Sequence, residues 1–241
     1  MATKTIGRNE LDLTSSRETL LALWRNPTSN RFVKVGQVDA LPDGHVAFQY
    51  LDSAWKDPDF SPLIEYPDRN AAYVSNELPA FFANRVLSAG RPGYARYLDW
   101  LGVDRLDAQD APFEVLARTG GGRVTDTFHV VELPLNESQG FSSRFFVSGL
   151  RHTPGVEGHL LSLKTGDHMQ LQLEERNPVN PRAVLVNTSD GEKIGYIPDW
   201  LCSDVRDLLT ESWVLTATVE RVNPDAPAHV RLLCRIDASR R

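Results

Sequence analysis

FFVSGLRHTPG at 145–155, GDHMQLQLEERNPVNPRAVLVN at 166–187 and GEKIGYIPDW at 191–200 carry the reading of the fold. Met169, Leu171 and Leu173 alternate with Gln170, Gln172 and Glu174, the period-two pattern of a half-buried strand. Arg144 to Gly149 reads as a strand that ends in Gly149-Leu150-Arg151-His152. Ala183 to Asn187 reads as a third, joined through Ser189-Asp190-Gly191 to a fourth at Lys193 to Ile197. Two longer alternations follow: Trp213, Leu215, Ala217, Val219, then Val230, Leu232, Cys234, Ile236. Between the fourth and fifth strands, Asp199 is placed to cap a helix with Leu201, Val205, Leu208 and Leu209 on one face. Many short strands with one or two helices predict a small, partly open β-barrel.

Working outward, Leu135 to Ser143 is polar and reads as a linker, residues 135–143, ahead of a domain at 144–238. The preceding domain is expected over 19–134, after a flexible arm at 1–18. Leu20 to Trp24, Arg31 to Val38 and His45 to Tyr50 read as an antiparallel meander, with Leu41-Pro42-Asp43-Gly44 as a turn. Asp52 to Asn76 reads as irregular. Leu78, Phe81, Phe82 and Arg85/Val86 recur at helical spacing. A helix is predicted after Pro92 with Gly102 as its stop, and another between Asp110 and Gly120. The fold class expected is α+β in two domains: a small β-meander with helices, then a barrel. Gly120-Gly121-Gly122 follows a helix and lacks the Lys-Ser/Thr pair of a phosphate loop, so turn chemistry is favoured over phosphate binding.

Composition narrows the function. The net charge is −6, so no chain-wide basic footprint for duplex DNA exists. Residues 141–241 carry 12 basic and 13 acidic groups, and 10 of those 12 are arginine, the residue suited to bidentate phosphate contacts. Cys202 and Cys234 lack ligand spacing and read as buried apolar residues; no metal or other cofactor is expected. The N-terminus has no apolar signal-peptide core and no run approaches a membrane span, so a cytoplasmic protein without membrane contact is expected. No nucleophile is paired with a base at a motif, so no enzymatic activity is expected.

Two family resemblances follow from these residues. Gly149-Leu150-Arg151-His152, Gly166-Asp167 with Leu171 and Glu174, Asn177-Pro178-Val179-Asn180-Pro181 with Ala183-Val184 and Val186, and Ile194-Gly195-Tyr196-Ile197-Pro198 resemble, in order and spacing, a HIRAN domain over 145 to about 237. That resemblance implies an OB-like or SH3-like barrel that captures the 3′ end of single-stranded DNA. DNA-binding members carry aromatic residues where this chain has His152 and Thr153, and a Tyr-Asp pair where it has Val179 and Asn180. Residues 20–131, through Leu78 to Arg85 and Pro112 to Leu116, resemble the N-terminal subdomain of HipA-type toxin kinases, which exists separately as HipS. The kinase core itself is missing.

The resemblances imply a bacterial regulatory protein of a HipA-type toxin–antitoxin system. Its partners would be a HipA- or HipT-like kinase, a HipB-like DNA-binding protein and single-stranded DNA. Phe81, Phe82, Arg85 and Arg123 are the candidate partner-binding residues. Arg151, His152, Asn177, Asn180 and Tyr196 are the candidate nucleic-acid residues. The arginine would hold phosphate, the asparagines would bond sugar or phosphate, and a ring would stack on a base. Asn177 and Asn180 are equally good turn formers, and Tyr196 fits a core as well as a platform. Alternatives are a DNA-repair or DNA-processing accessory that binds ends, and a HIRAN domain turned to protein interaction.

Overall fold

A computed structural model describes residues 3–8, 16, 18–103, 111–121, 127–134, 140–211 and 213–240. The chain divides into two compact units. The first comprises 1–95 and 103–133, and the second 96–102 and 134–241. Each is built on a six-stranded sheet in which every pairing is antiparallel.

In the first unit the strands are β1 (Lys4–Gly7), β2 (Glu18–Arg25), β3 (Phe32–Ala40), β4 (Val46–Tyr50), β5 (Ala71–Ser75) and β6 (Phe128–Glu132). Their order in the sheet is β1-β5-β4-β3-β2-β6. All five residues of β4 are buried, so both faces of the sheet are covered at its centre. Phe48 sits in an aromatic cluster with Tyr50, Tyr66, Tyr73 and Phe82. Two strands depart from expectation. Lys4–Gly7, read as arm, pairs with Ala71–Ser75, read as irregular. Helix α1 is a single turn, Ala80–Ala83, and α3 spans Ala111–Thr119. Gly120 closes α3 in the left-handed region at φ 74°, and its carbonyl accepts the Val130 N–H at 2.7 Å. The glycine run therefore begins as a turn. Asp110, Gly122, Arg123, Thr125 and Asp126 lie outside the described residues.

The structure places three of the candidate partner-binding residues, Phe81, Phe82 and Arg85, in or against the core of this unit. Phe82 is fully buried, and Phe81 packs edge-on against Phe82 and Phe128. The Arg85 guanidinium lies 4.3 Å from the Phe81 ring centroid and donates to the carbonyls of Gly121 (3.0 Å) and Phe128 (3.2 Å). Phe82 and Arg85 hold this unit together, because a buried ring and a cation bonded to main-chain carbonyls are committed to the interior.

In the second unit the strands are β7 (Gly140–Phe146), β8 (His168–Leu173), β9 (Val184–Asn187), β10 (Lys193–Tyr196), β11 (Trp213–Val222) and β12 (Leu232–Arg240). Their order is β10-β9-β8-β11-β12-β7. The two edges meet just beyond β7. Ser148 N–H donates to Tyr196 O at 2.8 Å and Tyr196 N–H to Ser148 O at 2.9 Å. This single bridge closes the sheet on itself around Phe145, Val147, Val184, Val186, Ile194 and Cys234. Helix α4 (Val156–Ser162) and helix α5 (Asp199–Thr210) pack Val156, Leu160, Leu201 and Val205 into the same core. The greater part of α2 (Tyr94–Leu101) belongs to this unit, where Asn223 Nδ2 donates to Trp100 O at 2.8 Å and Arg96 pairs with Asp225.

The six strands of the barrel were legible, with differences. β7 starts at Gly140, so residues 140–143 of the expected linker are strand; 135–139 lie outside the described residues. Helix α4 was not foreseen. Asp199 is the first residue of α5 and not its cap: Pro198 holds that position, with no side-chain cap. Its carboxylate lies in the first turn, where the helix dipole favours it. Among the described residues, no helix is long and apolar enough to cross a membrane, and no cluster suits a metal ion. Cys202 and Cys234 are buried free thiols, and burial pushes the Cys202 thiol up to about 11.

Candidate nucleic-acid interface

The closing bridge gathers the motif residues. Gly195 lies at an irregularity between Lys193 and Gly195, a β-bulge in β10. A Cβ on Gly195 would stand 2.4 Å from Ser148 O and 2.7 Å from Val147 Cγ1, so only glycine lets the two edges approach. Gly149, at φ 78°, turns the chain out of the bridge into the one-turn helix Leu150–His152. A Cβ there would stand 3.0 Å from Tyr196 Cδ2, so the tyrosine ring rests against this glycine. Two motifs far apart in sequence thus share one corner of the barrel.

Tyr196 is half-buried and its hydroxyl is the hub of the corner. It accepts from Lys193 Nζ at 2.6 Å and from Asn177 Nδ2 at 3.2 Å. The Lys193 ammonium also lies 4.5 Å from the ring centroid. Asn177 Nδ2 bonds Glu174 as well, and that bond, helped by Tyr196 and Lys193, holds the Glu174 carboxyl below its ordinary range. Asn177 Oδ1 accepts the N–H groups of Val179 (2.9 Å) and Asn180 (3.0 Å). Asn180 Nδ2 donates to Asp199, and its Oδ1 accepts the Arg182 N–H at 2.8 Å. Both asparagines therefore spend their polar atoms shaping the 177–182 loop, as turn formers do. Val179 stands at that loop with 91% of its surface exposed.

Arg151 and His152 are exposed. Thr153 is buried, its hydroxyl directed at Gly149 O. Other arginines of the unit hold carboxylates: Arg144 binds Glu220, Arg231 binds Glu157, and Arg235 binds Asp237. Among the described residues, no hydrogen bond or ion pair engages the Arg151 guanidinium. The Leu150–His152 turn packs against β10 and against the turn Ala228–Val230. The charge of Arg151 reaches His229 there: burial first, and Arg151 second, push the His229 imidazole below its ordinary value.

The structure therefore joins Tyr196, Asn177, Asn180 and the Arg151–His152 turn around one corner. It adds Lys193 and His229, which sequence reasoning missed, and Glu174, a motif residue outside the expected site. A guanidinium that no described residue engages, a second cation on a tyrosine and an exposed apolar tip suit an anionic chain that carries flat rings.

No curated protein matches the chain. A crystal structure of a protein from Lactobacillus plantarum aligns at 20% identity over 42% of this chain and 99% of that chain, with a TM-score of 0.36. The crystal structure of the HIRAN domain of human HLTF aligns at 18% identity over 43% and 80%, with a TM-score of 0.31. The family model of the HIRAN domain matches residues 140–239, the stretch that forms the barrel.

Proposed function

We propose that the chain is a non-enzymatic binding protein whose HIRAN barrel takes single-stranded DNA at the corner around Arg151, with a free 3′ end as the preferred feature. The observation that carries this reading is the exposed Arg151 guanidinium, unengaged by the described residues, on a turn fixed between Gly149 and Tyr196. Arg151 supplies bidentate bonds to a phosphate, Lys193 a second charge, and His152 and Val179 flank the path. The Tyr196 ring rests on Gly149 with Lys193 near its face, so its first task is to hold the corner. Base stacking falls to the exposed side chains. The test is fluorescence anisotropy with a labelled single strand carrying a 3′ hydroxyl or a 3′ phosphate. Arg151→Ala is expected to weaken binding by about tenfold or more, since charged hydrogen bonds contribute about 1.5–3 kcal/mol. Equal affinity of wild type and variant contradicts the reading. Equal affinity for both ends removes end recognition and leaves strand binding.

The first unit favours a second, protein-directed role. Ile64, 95% exposed beside Pro62 and half-buried Leu63, is the apolar side chain that this reading assigns to the contact. The partner this reading assigns is a HipA-like kinase, with a HipB-like DNA-binding protein, in a toxin–antitoxin system; it rests on the resemblance of residues 20–131. The HIRAN match does not extend to them. Co-purification of the full chain with such a kinase, lost on Ile64→Asp, supports this role; no co-purification removes it.

A further inference from the structure

Resting on the nucleic-acid reading of the barrel, we propose that His229 is a second ligand for the phosphate held by Arg151, and that it makes strand binding pH-dependent. The geometry begins with two turns, Leu150–His152 and Ala228–Val230, packed against each other. Leu150 and Val230 are both buried, at 2% and 1% exposure, and pin the turns into the core. Asn223 fixes the second turn further, its Nδ2 donating to Val230 O at 2.8 Å while Val230 N–H bonds Pro227 O at 3.0 Å. His229 thus lies at the surface, its imidazole partly desolvated, on a hydrogen-bonded turn packed against the Arg151 turn, and the arginine's charge acts on it.

The charged groups near the pair are accounted for. Arg231, next along the chain, is held by Glu157 of α4 and by Ala226 O. Asp225, on the same loop, is held by Arg96. His152 shares the Arg151 turn, and Lys193 lies on β10, which packs against that turn. The nearby carboxylates are thus spent on other cations, and Arg151 opposes a proton on His229. A phosphodiester between the two side chains reverses this balance. It neutralises Arg151 and offers the imidazolium an acceptor, so binding carries proton uptake.

The sign follows. His229 sits below its ordinary value in the free protein, through burial first and Arg151 second; on this proposal the bound phosphate offsets the Arg151 charge and raises it in the complex. Affinity is therefore greatest at low pH and is lost as pH rises through the value in the complex. A rise of one unit corresponds to about tenfold in affinity. The test is anisotropy of the full chain with a rhodamine-labelled oligo(dT) at constant ionic strength, from pH 5.5 to 8.0. Wild type is expected to bind about tenfold more tightly at pH 5.5. His229→Gln is expected to be flat across this range and close to wild type at pH 8.0, while His152→Gln keeps the slope. An unchanged slope in His229→Gln overturns the inference, as does binding by wild type with a flat profile. Absence of wild-type binding at every pH overturns the nucleic-acid reading itself, and this inference with it. As a second measurement, NMR titration of the imidazole Cε1–H should show the His229 value rising with saturating oligonucleotide; no rise contradicts the proposal.

Discussion

Gly195→Ala tests how the barrel corner is made. The added Cβ would stand 2.4 Å from Ser148 O, where ordinary contact begins at 3.4 Å. The edges must therefore separate by about 1 Å at this point, because the obstacle is backbone and cannot rotate away. Hydrogen bonds of 2.8 and 2.9 Å between Ser148 and Tyr196 would then stretch beyond bonding distance. Each contributes about 0.5–1.5 kcal/mol, and overpacking adds about 1–3 kcal/mol. A loss of about 3 kcal/mol lowers the melting temperature of a unit this size by about 10 °C. Calorimetry of the full chain reads this as a downward shift of the transition assigned to the barrel, with the first unit unaffected. Oligonucleotide affinity should fall too, because Tyr196 and the Gly149–His152 turn separate together. A variant that melts within about 2 °C of wild type and binds equally well refutes the closure argument.

Three further outcomes are expected. Asn177→Ala removes the acceptor for two loop N–H groups and a donor to Tyr196 and Glu174; it should cost about 1–2 kcal/mol in a urea melt and weaken oligonucleotide binding. Phe82→Ala empties a fully buried site in the aromatic cluster and should cost the first unit about 3–5 kcal/mol, with strand binding by the barrel retained. Burial pushes the Tyr66 hydroxyl up to about 12, and that of Tyr50 further, so neutral phenols are favoured in the folded state. Unfolded tyrosines ionise near pH 10. The first unit should therefore lose stability as pH rises above about 10, and absorbance at 295 nm should show two tyrosines ionising only well above pH 10 or on unfolding.

The barrel was legible because its strands alternate: Met169, Leu171 and Leu173 face one way, and the two long strands β11 and β12 repeat that pattern. β1 and β5 were not. Lys4–Gly7 has one apolar residue, and Ala71–Ser75 is buried along nearly its whole length, so neither shows a period. Helix α4 is short and carries Gly158, which hides it from a propensity reading. At the corner, Arg151 and Tyr196 were visible as motif residues, but Lys193 was not. Three residues apart on a regular strand, Lys193 and Tyr196 would face opposite sides. The bulge at Gly195 changes that parity and sets the ammonium on the hydroxyl. His229 was hidden because packing of two distant turns, not spacing, brings it to Arg151.

The most direct test of strand binding at this corner is a map of amide shifts in the ¹⁵N-labelled full chain on addition of oligo(dT) with a free 3′ hydroxyl. The account predicts shifts at Gly149 to Thr153, Val179, Lys193, Tyr196 and Ala228 to Val230, with the amides of β2 to β5 unchanged. Binding that leaves those positions still, or moves only residues of the first unit, contradicts it.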